Sequence, residues 1–328
     1  MTLRTIPMSN SPWEKLDCAN HPGEFISQLV SPELNPRGHR IFWAKDAWNR
    51  PALLIEYRDS KRDLSLPIFK SISLLDDAQK RCLALVLEDG STAELFLKVC
   101  LDIVGALQNV SDKSARKACI LRLERWCSML RAGRTKLSPE AQKGLIAELL
   151  FLIEDAAPAH GIEAALKGWT GPDGGKRDFA FGQTFVEVKS KRSSSSHEVI
   201  ISSEEQLNVN AMEQLYLFVM ELNGSPSDDS DTFSVTNVAQ RAIELCESPL
   251  AEAELERKLG EIGFFFEDDY NDARWTEGER LFYQVADGFP RIDSSCCAPG
   301  VGNVTYHIDL DYCMNYQVDR ALVDESLR

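Results

Sequence analysis

The sequence predicts an α/β protein in three parts. A β-rich accessory region over 1–110 precedes a mixed α/β core over 111–225, and an acidic α+β extension, expected to pack on the core or a partner, covers 226–328. Three observations carry this reading. Short apolar runs rich in β-formers, separated by Asp, Asn and Pro, fill the chain up to Leu107. Helical stretches with their own start signals then alternate with short strands. The charge is also split, because 226–328 holds 22 acidic and 8 basic residues and so carries nearly all of the net charge of −15.

Composition excludes several classes. With 44% hydrophobic residues the chain is neither disordered nor collagen-like, and 328 residues can bury a sizeable core. No apolar run approaches the ~20 residues of a membrane span, and Met1-Thr2-Leu3-Arg4 leads into polar sequence rather than a secretory leader. A soluble, cytoplasmic protein with no membrane partner is expected. Nine cysteines, an odd number with no CxxC pair, indicate neither a disulfide framework nor a zinc ribbon. Cys296-Cys297 are adjacent, a poor spacing for two ligands of one tetrahedral zinc.

In order along the chain, Ile41-Phe42-Trp43-Ala44, Ala52 to Tyr57, Leu66-Pro67-Ile68-Phe69 and Cys82 to Leu87 read as strands, and 93–107 as a helix. A helix over 113–130 follows. Over 113–143 there are nine basic and two acidic residues, a local field able to hold phosphates or else a solvated helix face. Ser138-Pro139-Glu140 then places a Ser N-cap and Pro at the first helical position. The helix it starts is apolar nearly all round, so it is buried. Asp178-Phe179-Ala180-Phe181 and Thr184 to Lys189 are two short strands joined at Gly182-Gln183. Val199-Ile200-Ile201 reads as another strand, 204–222 as a helix, and 223–231 as a flexible acidic loop. Helices near 238–246 and 251–259 and strands near 281–285 and 304–310 complete the chain.

The chemistry concentrates in the core. Glu148 sits within Leu145-Ile146-Ala147-Glu148-Leu149-Leu150, where an unpaired carboxylate would cost several kcal/mol and so calls for a partner. Asp178 opens one strand, and Glu187 sits on the next. Glu187 and Lys189 are two apart on that strand and point to one face, while Val186 and Val188 point to the other. Two carboxylates and an ammonium can thus surround one hydrated Mg²⁺, with Mn²⁺ as a substitute, and Glu148 could orient a bound water or complete a second metal site. A structural ion-pair network is the alternative for the same residues.

Helical Glu148, then Asp178, then Glu187-Val188-Lys189 on a strand resembles the PD-(D/E)XK nuclease superfamily, which implies a restriction-endonuclease-like core, a central mixed sheet flanked by helices. The wider context, from Leu137-Ser138-Pro139-Glu140 through Trp169-Thr170-Gly171-Pro172 to Val186-Glu187-Val188-Lys189-Ser190, is similar to bacterial PD-(D/E)XK motif proteins. These are often encoded in restriction or phage-defence clusters, and the likeness is sharpest over 138–207. It implies a metal-dependent DNA endonuclease with Glu148, Asp178, Glu187 and Lys189 as catalytic residues, the three acids holding Mg²⁺. The bare tripeptide is weak, since Asp59-Ser60-Lys61 and Glu256-Arg257-Lys258 also fit it. The literal Pro172-Asp173 lies in a glycine-rich loop, so Asp178, on a rigid strand, is the better ligand.

Lys191, Arg192, Ser190 and Gln206 are expected near DNA. Gln206, placed on the helix after the motif, stands where related nucleases carry a polar residue. His197 is a further candidate base. A homodimer would supply two active sites for a double-strand cut, and other subunits of a defence system are expected partners. The rival reading is a non-catalytic DNA-binding or scaffold subunit, or an interaction subunit whose acidic third displaces nucleic acid.

Overall fold

A computed structural model describes residues 11–58, 66–69, 71–131, 135–194, 197–226, 231–293, 296–298 and 300–327. The expected turn at Asp59-Ser60-Lys61 and parts of the loops near 193–196 and 223–231 lie outside the described residues. The chain divides into two compact units, 1–134 and 135–328. The stretch 111–134, expected with the core, lies in the first unit, and 135–225 shares the second unit with the acidic third.

The first unit is a five-stranded antiparallel sheet. Its strands are β1 (Phe25–Leu29), β2 (Ile41–Asp46), β3 (Pro51–Glu56), β4 (Ile72–Asp77) and β5 (Cys82–Leu87), in the order β1-β2-β3-β5-β4. Two helices follow, α1 (Ala93–Leu107) and α2 (Ala115–Met129). Trp13 anchors the core: its ring meets Trp43 edge-on at 5.1 Å and stacks on Phe96 at 5.4 Å, and its indole N–H donates to Ala52 O at 2.8 Å. Leu66 to Phe69 form no strand, and Ile68 is almost fully exposed.

The second helix belongs to this unit because its charges are used inside it. Arg116, buried, donates from Nε and Nη2 to Asp76 Oδ2 at 2.9 and 2.7 Å, and Tyr57 donates to Asp76 Oδ1 at 2.5 Å. Arg122 grips Asp102 with two nitrogens at 2.6 and 2.8 Å, and Arg125 is buried. The basic stretch read from sequence is thus partly internal.

The second unit begins with α3 (Pro139–Phe151), capped by Ser138 Oγ, which accepts from Ala141 N at 3.2 Å. It runs through a π-helical turn over Leu152–Ala156 into α4 (Ala157–His160), and α5 (Ile162–Gly168) follows. Pro158 has no N–H to offer the Glu154 carbonyl four residues back, and that carbonyl accepts from Arg320 instead. The strands β6 (Phe179–Phe181), β7 (Thr184–Lys191), β8 (Glu198–Ile201) and β9 (Gln214–Ser225) precede α6 (Val235–Glu244) and α7 (Pro249–Ile262). Then come β10 (Arg274–Gln284), β11 (Tyr306–Asp309), β12 (Gln317–Val318) and α8 (Arg320–Ser326).

Five of these strands form one mixed sheet in the order β12-β10-β9-β7-β6, with β7 and β9 parallel and the other pairs antiparallel. β8 and β11 make a separate two-stranded sheet. The helix expected over 204–222 is instead a turn followed by β9. Its run Leu215 to Met220 is apolar without a break because the strand is central and buried on both faces. Tyr216, Phe218 and Met220 join the core that contains α3, while Leu215, Leu217 and Val219 join the core under β8 and β11. The acidic third packs on the core of this unit, where β10 pairs with β9 and Val323 and Leu327 join the α3 core. Among the described residues no helix is long and apolar enough to cross a membrane.

Asp76 offers a test of the first unit. Asp76→Ala removes the carboxylate that the buried Arg116 guanidinium and the Tyr57 hydroxyl share, so it should destabilise by about 3–5 kcal/mol. Urea unfolding measures this, and a loss below about 1 kcal/mol, the scale of an exposed pair, would show that the buried pair is not what holds the helix to the sheet.

Candidate active site

Each acid of the cluster reaches the site from a different rigid element. Glu148 projects from α3 between Ala147 and Leu149, both fully buried. Asp178 stands one residue before β6. β7 pairs antiparallel with β6, Phe179 opposite Val186, through the turn at Gly182, whose φ of +62° suits glycine. That register brings Val188 N within 2.7 Å of Asp178 Oδ2, to which it donates. Period-two alternation along β7 sends Val186 and Val188 into the α3 core and Glu187 and Lys189 to the opposite face.

Glu187 is fully buried. Its Oε1 accepts from Lys189 Nζ at 2.6 Å, and its Oε2 has no hydrogen-bond partner. Lys189 also donates to Gln206 Oε1 at 3.3 Å, an oxygen that accepts from Ser202 N at 2.8 Å. Glu148 Oε2 accepts from the indole N–H of Trp169 at 2.7 Å. Trp169 itself is fully buried against Phe179, and Phe179 against Phe151 of α3. The loop after Trp169 closes the cradle: Thr170 N and Gly171 N donate to Asp178 O at 2.7 and 3.0 Å. A methyl group at Gly171 would lie 3.0 Å from Asp178 Oδ1 and 3.5 Å from Glu148 Oε2, so the loop passes close against both carboxyls.

Three carboxyls share this space with one ammonium, and their proton affinities show it. Burial, then the neighbouring Asp178, hold Glu148 well above the usual carboxylate range, although Trp169 opposes them. Burial and Asp178 push Glu187 up to about 8 despite Lys189. Asp178 is raised by burial against the pull of Lys189 and the Val188 N–H. Burial disfavours the Lys189 charge, but Glu187 and Asp178 outweigh it and hold Lys189 above its ordinary value. The site thus has more acid than its own cation can neutralise.

Whether these residues suit a divalent cation rests on that donor set. Among the described residues no three or more His, Cys, Asp and Glu form a group able to hold a metal by themselves. Mg²⁺ asks less, since it is usually held by one or two carboxylates and keeps several waters. Asp178 Oδ1 at the Gly171 cradle and the unpartnered Glu187 Oε2 fit that smaller requirement.

The secondary candidates divide. Lys191 is buried and pairs with Glu221 at 2.6 Å, so it is an internal cation rather than a DNA contact. Ser190 lies on the Val188 face of β7, away from Lys189. Gln206 sits on a turn, not a helix, and it holds Lys189. Arg192 is exposed just past β7, and its charge helps to lower the Lys143 pKa after burial, which places Lys143 of α3 near it. His197 pairs with Asp311 at 2.7 Å and makes no hydrogen bond to the cluster. Asp173 is held by Lys258 and Arg257. Sequence patterns did not single out Lys143 or the Trp169 bond to Glu148, because both depend on tertiary packing.

The raised Glu187 has a consequence for stability. The folded state binds its proton more tightly than the unfolded chain does, so stability falls as pH rises from about 4.5 to about 8. Wild type should therefore lose more stability between pH 5 and 8 than Glu187→Gln, by on the order of 2–4 kcal/mol. Urea titrations at the two pH values measure this, and parallel curves would contradict it.

Comparison with known proteins gives one match. No curated protein and no solved structure matches the chain. The family described as "Putative PD-(D/E)XK family member, (DUF4420)" matches residues 9–311. That span takes in most of each unit and every residue of the acid cluster, and the chain therefore belongs to this family.

Proposed function

We propose that the chain is a Mg²⁺-dependent DNA endonuclease, hydrolysing phosphodiester bonds in restriction or phage defence. The observation that carries this is the buried cluster of Glu148, Asp178 and Glu187 around Lys189, with one carboxylate oxygen unpartnered. Membership of the PD-(D/E)XK family supports it. An ordinary ion-pair network would balance its charges, whereas this one retains an excess of acid that a cation would satisfy.

Asp178 and Glu187 would hold Mg²⁺, with Glu148 beside them, and Mn²⁺ could substitute. The bound cation supplies an activated water and neutralises charge on the scissile phosphate. Lys189 Nζ, oriented by Glu187 Oε1 and Gln206 Oε1, presents a fixed positive charge where the nucleophile and the phosphate meet. Burial and the neighbouring Asp178 raise the proton affinity of Glu148 well above the usual carboxylate range, so it would exchange a proton within the site more readily than an exposed acid. Arg192 and Lys143 would hold the flanking phosphates. A homodimer would cut both strands in one encounter, and other subunits of a defence system would gate the cut.

Cleavage of supercoiled, linear and single-stranded DNA with Mg²⁺ or Mn²⁺ tests the reading. Lys189→Ala and Asp178→Ala should each lower cutting at least about 100-fold without unfolding the protein. Arg192→Ala should instead raise KM and reduce its dependence on salt. Salt-sensitive DNA binding with no metal-dependent cutting, in wild type and variants alike, would favour the non-catalytic scaffold.

A further inference from the structure

We infer that Lys258 of α7 is a positioning residue for the acid cluster, an inference that rests on the nuclease reading for its catalytic consequence only. Lys258 is 1% exposed. Its ammonium donates to Trp169 O at 2.6 Å and pairs with the Asp173 carboxylate. Arg257, the next residue, donates to Asp173 Oδ1 at 2.7 Å and is itself braced by Glu254 at 2.7 Å. Burying an ammonium is costly, and an apolar side chain of similar length would fill the same space. What only the ammonium supplies is a pair of directed bonds, and both end on one short loop.

That loop is the wall of the candidate active site. At its start the Trp169 indole fixes Glu148 Oε2, and at its middle Thr170 N and Gly171 N fix the Asp178 carbonyl. The bare Cα of Gly171 leaves the space in which Asp178 Oδ1 and Glu148 Oε2 lie. Gly174 adopts a left-handed φ of +77°, and Gly175 follows it, so the segment is costly to order unaided. Lys258 ties it at residues 169 and 173, on either side of Gly171. Asp173, the literal Asp of a Pro-Asp pair, acts here as the anchor of this clamp, and both aspartates of the motif region have distinct roles.

The test uses full-length wild type, Lys258→Met and Asp173→Asn. The six tryptophans give six indole N–H resonances, and Trp169→Phe identifies the one belonging to Trp169. Both clamp variants should shift or broaden that resonance while the other five stay in place. Mn²⁺ affinity, read by calorimetry, should fall roughly 10–100-fold, as for loss of an outer partner of a metal ligand. On DNA, kcat should fall with KM unchanged, and Lys258→Arg should recover part of it. An unmoved Trp169 resonance with Mn²⁺ affinity equal to wild type would overturn the proposal. So would movement of all six resonances together in both variants, which would make Lys258 an ordinary core residue. If wild type neither binds Mn²⁺ nor cuts DNA, the nuclease reading fails, and the Trp169 resonance alone then decides whether Lys258 positions the loop.

Discussion

Three carboxyls held out of water beside a single ammonium set the terms for the second unit. Each would ionise readily in water, and together in one buried space they cannot all do so. The fold tolerates this because every acid is tied to a rigid support: Glu148 to Trp169, Asp178 to the Val188 N–H, and Glu187 to Lys189. The strain that remains is electrostatic, and it is of the kind a divalent cation relieves. Holding these carboxyls together out of water gives up stability, as functional sites commonly do.

The rest of the second unit serves that arrangement. The mixed sheet fixes the spacing of Asp178 and Glu187, because β6 and β7 are register-locked and β9, buried on both faces, runs parallel beside β7. An aromatic series from Trp169 through Phe179 and Phe151 to Phe218 joins the loop, the hairpin, α3 and the central strand. α3 thereby presents Glu148 from a helix that is otherwise core. The C-terminal residues close the same body, since Thr184 at the start of β7 donates to Ser326 O and Tyr216 bonds Ser326 Oγ.

Much of the site was legible in the sequence for specific reasons. Glu187 and Lys189 stood out because a period of two separates them cleanly from Val186 and Val188. Glu148 stood out because an acid inside an apolar helix needs an account. Ser138-Pro139 marked a helix start that the structure reproduces to the residue. What was illegible depends on long-range packing. Leu215 to Met220 carries no periodicity, so a central strand and a buried helix look alike there. Lys191 continues the motif's strand face as Glu187 and Lys189 do, and only Glu221 on β9 shows that its charge is internal. The basic stretch near Arg116 and Arg122 resembled a phosphate-binding surface until Asp76 and Asp102 were found to absorb those charges. Glu256-Arg257-Lys258 fits the nuclease tripeptide by chance of spelling, and it sits on a helix whose Lys258 serves the loop instead.

On the proposed function, the cluster would hold protons that an entering cation displaces. Calorimetric titration of wild type with Mn²⁺ at pH 7, in two buffers of different ionisation enthalpy, tests it most directly. The expected result is binding whose heat differs between the buffers, because a carboxyl raised as Glu187 is would release its proton as the cation enters. Absence of binding, or a heat identical in both buffers, would contradict it.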